Sequence, residues 1–138
     1  MAETMNGESD AMPPEWTQPD VAFEFANDPT APRAARTALS PLHLQPGAFA
    51  ADVSLVASEL VSNVVLHTRL GGHLHAWDAD PLRLEVHDHD PTLPKSPLHV
   101  DERGGRGLEI VDDIADEWGT RLDDEGKTLW ANFRRPES

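Results

Sequence analysis

Residues 48–68, AFAADVSLVASELVSNVVLHT, decide the fold. On a helical wheel Val53, Val56, Ala57, Leu60, Val61 and Val64 form one broad apolar arc. Leu55 and Leu66 fall on the far side of a narrow polar strip made by Asp52, Glu59 and Asn63, and His67 lies where the strip meets the main arc. A solvated amphipathic helix carries one apolar face and one wide polar face. A thin polar stripe flanked by apolar residues on both sides instead predicts a helix built into a domain, with Glu59 and Asn63 facing a cavity.

Working outward, Gly71-Gly72 is expected to end this helix. Residues 73–78 and 82–88 read as two strands joined by Ala79-Asp80-Pro81 in a hairpin. Side chains alternate with period two, so Leu82, Leu84, Val86 and Asp88 share a face. Asp88 thus continues an apolar set, where a carboxylate is costly unless donors meet it. From residue 89 to 105 periodicity vanishes behind Pro91, Pro94 and Pro97, and the stretch ends in Arg103-Gly104-Gly105-Arg106. A loop of that length in a compact domain is usually functional or disordered. Leu108, Val111, Ile114, Ala115 and Trp118 then mark a helix opening at Gly107. Residues 118–122 and 127–133 read as closing strands around the turn Asp124-Glu125-Gly126. Upstream, Val21-Ala-Phe-Glu-Phe25 alternates as a short strand, and a helix runs from Thr30 or Pro32 to Leu39, stopped by Ser40-Pro41. Residues 1–18 carry four acids, no base and the pair Pro13-Pro14, which reads as a disordered acidic tail ahead of one domain over 19–136.

Composition excludes more than it identifies. Without cysteine there is neither a disulfide scaffold nor a thiolate metal site. A net charge of −14 argues against sequence-independent nucleic-acid binding, which needs cations to displace phosphate counterions. The charge suits a basic protein partner, or simply solubility. No apolar run reads as membrane-spanning and the N-terminus lacks the order of a signal peptide, so a cytoplasmic protein without membrane association is expected.

Glu59-x3-Asn63, Asp88 and the glycines before a helix are each weak signals alone; their order gives them weight. Together they resemble the ATP-binding domain shared by sensor histidine kinases, gyrase-type topoisomerases, heat-shock chaperones and mismatch-repair ATPases. Among these the chain is most similar to the stand-alone anti-sigma-factor serine/threonine kinases and their actinobacterial relatives. Ser58-Glu-Leu-Val-Ser-Asn-Val-Val-Leu-His67 matches the family's N-box, and Val86-His-Asp-His-Asp-Pro-Thr-Leu-Pro94 stands in place of its first glycine box. Gly105-Arg-Gly-Leu-Glu-Ile-Val111 matches the second glycine box, and Gly126-Lys-Thr-Leu-Trp130 the final strand.

The resemblance implies a two-layer α/β sandwich of Bergerat type, with a mixed, mainly antiparallel sheet and helices on one face. It implies that Glu59 is the general base and that Asn63 ligates Mg²⁺. Asp88 would accept a hydrogen bond from the adenine amino group. Gly105, Arg106, Gly107 and Leu108 would cradle the phosphates at a helix N-terminus, and Thr128 would complete the adenine pocket. The implied cofactors are ATP and Mg²⁺; the implied partners are a sigma factor and an anti-sigma-factor antagonist, with a homodimer through the sheet's outer face. The implied activity is phosphorylation of the antagonist on serine or threonine.

The family's first glycine box has glycines where this chain carries Asp90 and Thr92, with Pro91 between them. That departure implies weaker or altered ATP binding, since glycine's permissive backbone is lost and a negative charge is added. Two other readings stay open: a non-catalytic nucleotide-gated binding module, and the catalytic part of a histidine kinase working in trans. Seven histidines raise a metal reading. If Asp78 pairs with Leu82, His73 lies opposite His87 and His75 opposite Glu85 on the outer face, where solvated imidazoles are commoner than a zinc or nickel site. Arg103 and Arg106 either clamp phosphates or pair with Asp101 and Glu102. Trp118 and Trp130 read as core, and Glu109, Asp112, Asp113, Asp116 and Glu117 as a solvated acidic face.

Overall fold

The computed structural model describes residues 18–68, 70–89, 107–124 and 126–136. The acidic tail through residue 17 and the long segment 90–106 lie outside the described residues. In chain order the elements are β1 (Val21–Phe25), α1 (Ala31–Ala38), a 3₁₀ turn (Ser40–Leu42), α2 (Ala48–His67), β2 (Gly72–Trp77), β3 (Leu82–Asp88), α3 (Gly107–Ile114), β4 (Glu117–Asp123) and β5 (Gly126–Phe133). The five strands form one sheet in the order β1-β2-β3-β5-β4. Every pairing is antiparallel, so the mixed sheet expected from the sequence is corrected to a wholly antiparallel one among the described residues. The β2–β3 hairpin has the anticipated register, His73 opposite His87 and His75 opposite Glu85.

Strand alternation and helix periodicity meet in one core. Phe25, Leu74, Leu84, Val86, Leu129 and Phe133 of the sheet pack with Val53, Val56, Leu60, Val61 and Val64 of α2 and with Leu108 and Val111 of α3. Each such side chain contributes roughly 1.5–3 kcal/mol by leaving water. The resulting α/β fold has the three helices against the face that carries Asp88. Contrary to the sequence expectation, α2 is long and apolar enough to cross a membrane by length and composition. Its apolar arc is occupied otherwise: all six of the arc's residues are buried in the domain, together with Ser58.

Two boundaries differ from the sequence reading. Helix α2 is closed by Thr68, not by the glycines: the Thr68 N–H and hydroxyl both donate to the Val64 carbonyl at 3.0 Å. Gly72 opens β2 instead, and Gly71 is needed for close approach, because a Cβ there would lie 1.9 Å from the Phe25 carbonyl oxygen. Helix α3 stops at Ile114, short of Trp118, which lies in β4 as the strand reading over 118–122 anticipated. The chain leaves the helix because β5 offers it partners: the Asp116 N–H donates to the Asn132 carbonyl, and the Asp116 carboxylate accepts from the Arg134 N–H. Trp118 is still core, and its indole N–H donates to Asp112 at 2.8 Å.

The helix-free face is buried at its centre too. The Arg83 guanidinium is fully buried, 2.8 Å from Glu85 and 4.7 Å above the Trp130 ring, with Arg121 reaching the other Glu85 oxygen at 3.5 Å. Trp130 is therefore buried as expected, but in this charged and aromatic layer and not in the apolar core.

Candidate functional site

Asn63 lies four positions after Glu59, so α2 presents them one turn apart on the same stripe. Both are half-buried, while Leu55 and Leu66 on the flank are each 38% exposed. Partial burial pushes the Glu59 carboxyl above its ordinary pKa, because water no longer solvates the charge fully. The stripe therefore offers an amide and a carboxylate whose proton affinity is raised.

Asp88 ends β3 on the helix-facing side of the sheet and is 1% exposed. Its charge is met from the neighbouring strand. Lys127 stands directly opposite in the β3–β5 register, and its Nζ lies 3.5 Å from Asp88 Oδ2 with the lysine itself buried. The sequence reading missed Lys127. Its signal was alternation within β5: Lys127, Leu129, Ala131 and Phe133 share one face, and that face is the core face once β5 lies beside β3. Gly126 makes the close approach possible. It holds φ +138°, and a Cβ there would come within 2.0 Å of the Asp88 carbonyl oxygen.

The same alternation carries Thr128 away from Asp88. It points to the helix-free face, opposite to Asp88, where its hydroxyl is 2.9 Å from His87 Nδ1. Leu108 is 5% exposed and its side chain belongs to the core, beside Gly107 as the first residue of α3. Gly105 and Arg106 lie outside the described residues, as do Asp90, Thr92 and Arg103.

The residues present fit a magnesium nucleotide chemically. Mg²⁺ takes hard oxygen ligands, keeps several waters and needs only one or two protein groups, so the Asn63 amide oxygen is chemically sufficient and leaves Glu59 free to act as a base. A buried carboxylate acceptor at Asp88 fits a base that carries an amino group.

Four histidines, His73, His75, His87 and His89, gather elsewhere, on the helix-free face and at its β1–β2 end. The rings of His73 and His89 are 5.3 Å apart and those of His87 and His89 5.0 Å, while His73 Nε2 is 3.7 Å from Glu24. Among the described residues no three His, Asp or Glu side chains converge on a metal position. His75 is held below its ordinary pKa, first by desolvation and further by His73 and His87, against the opposing pull of Glu85.

Compared with known proteins, the chain matches the family model of the histidine kinase-like ATPase domain over residues 25–133, more than half its length. No curated protein matches it.

Proposed function

The chain belongs to the histidine kinase-like ATPase family, and from that membership we propose that it binds Mg·ATP and acts as an anti-sigma-type serine/threonine protein kinase. The observation that carries the proposal is the α2 stripe: Glu59 and Asn63 stand one turn apart, half-buried, with the Glu59 pKa raised by desolvation. A general base works best when its pKa approaches the working pH, and burial moves Glu59 in that direction.

In this reading Asn63 contributes the protein oxygen for Mg²⁺, which when bound draws charge off the triphosphate oxygens. Asp88 accepts the adenine amine. Gly107 starts α3, whose N-terminal N–H groups favour phosphate. Glu59 takes the proton from the acceptor hydroxyl. The partners we propose are a cytoplasmic sigma factor and an antagonist protein bearing the serine or threonine that is phosphorylated.

Labelled ATP incubated with candidate antagonists tests the kinase reading: acid-stable label on serine or threonine, abolished by Glu59→Ala, supports it. Acid-labile label points to a histidine-kinase chemistry instead. Calorimetric titration of ATP with Mg²⁺ against wild type, Asn63→Ala and Asp88→Ala tests binding itself, and no heat at millimolar ATP sinks it. A second reading, a nucleotide-gated binding module without phosphoryl transfer, is favoured by Asp90 and Thr92 in place of glycines. Binding without labelling selects it.

A further inference from the structure

Asp88 and Lys127 are two charges removed from water on adjacent central strands, on the last rungs of the β3–β5 ladder. As a stability device such a pair is weak, since apolar residues of similar volume often serve as well. Its separation, 3.5 Å between Nζ and Oδ2, is also longer than the 2.7–2.9 Å typical of a charge-assisted hydrogen bond. An ammonium carries three donors, so one carboxylate leaves Lys127 with protons to give. The pair is held in place by the antiparallel ladder and by the Gly126 backbone pressed against Asp88. What it presents to the helix-facing side is a fixed acceptor beside a fixed donor.

We propose that Lys127 is a specificity-determining residue for the base, donating to the adenine ring nitrogen N1 beside the N6 amine that Asp88 accepts. The inference rests on the reading of this site as an ATP site and deepens it. A carboxylate alone accepts from any amine. A donor beside it selects the amidine edge, in which an amine adjoins a bare ring nitrogen. Guanine in the same seat turns its O6 to the carboxylate and its N1–H to the ammonium, so acceptor faces acceptor and donor faces donor. Sites built on buried hydrogen-bonding groups reject such mismatches strongly, because the groups are then left desolvated and unpaired.

Competition of ATP, 1-deaza-ATP and GTP against a fluorescent ATP analogue, with Mg²⁺ and the full chain, tests this. For wild type, 1-deaza-ATP, which lacks only the N1 acceptor, binds at least about tenfold more weakly than ATP, and GTP more weakly still. In Lys127→Met the gap between ATP and 1-deaza-ATP shrinks to under about threefold, a change that loss of a merely structural lysine does not produce. Equal binding of the two by wild type overturns the proposal, as does a gap that persists in Lys127→Met. If Lys127→Met does not fold, Lys127→Gln is read in the same way. A flat ATP titration brings down the ATP reading and this one together, whereas ATP binding without the gap brings down this one alone.

Discussion

At Glu59 one physical cause has two consequences. Desolvation that raises the pKa of the carboxyl also opposes folding with that carboxyl ionised. With the folded pKa above the unfolded value of 4.5, the native state binds more protons over that window, and stability falls as pH rises through it. Glu59→Gln is therefore expected to raise the melting temperature at pH 7 and to lose that advantage below about pH 4.5, read by calorimetry across pH. An equal shift at pH 4 and pH 7 contradicts this account. Under the proposed kinase reading the same variant loses phosphoryl transfer, so stability and activity move in opposite directions. At Gly126 the backbone is the constraint: positive φ and a 2.0 Å approach to the Asp88 carbonyl leave no room for a methyl group. Gly126→Ala should cost roughly 2 kcal/mol or more in urea unfolding, and should weaken nucleotide binding because it displaces the Asp88 end of β3.

Elements are held in register by contacts that no local pattern announces. The last turn of α2 is anchored by Asn27, in the turn after β1. Its side-chain amide donates to the Val65 carbonyl at 3.2 Å and to the Thr68 carbonyl. Asn27→Ala leaves both acceptors to water and is expected to cost about 1 kcal/mol. Hydrogen exchange should report it as faster opening confined to the C-terminal turn of α2, and a uniform loss of protection across the sheet speaks against a local anchor. The β4–β5 hairpin shows tertiary contacts overriding helical pattern. Leu108, Val111, Ile114 and Ala115 continue to Trp118 at helical spacing, yet the chain breaks at Ile114 because Asp116 finds partners at Asn132 and Arg134. Trp118 keeps its inward direction from a strand.

For the whole molecule, the two faces of the sheet respond differently to pH. On the helix-free face the His75 pKa is lowered by desolvation and by His73 and His87, with Glu85 opposing. A histidine whose folded pKa is depressed binds fewer protons in the native state, so stability is lost as pH falls through the unfolded value of 6.5. The melting temperature of wild type is expected to drop between pH 7 and pH 5.5, and that of His75→Gln to drop less; parallel curves refute the assignment to His75. Glu59 acts with the opposite sign, and each variant isolates its own contribution.

Much of this fold was legible in the sequence because its signals are local. The apolar arc of α2, the alternation of β1 and the register of the β2–β3 hairpin depend on residues close together in the chain, where period and turn length fix the outcome. The same locality placed Asp88 inward and Glu59 and Asn63 on one stripe. What only the tertiary structure decided is which strand lies beside β3. Residues 107–123, carrying α3 and β4, intervene before β5, and no short-range rule states that β5 returns to the centre with β4 outside it. That one choice gave Asp88 its partner Lys127, turned Thr128 to the opposite face and made the sheet antiparallel throughout. Periodicity fixes which side chains of a strand travel together; the neighbouring strand fixes what they meet.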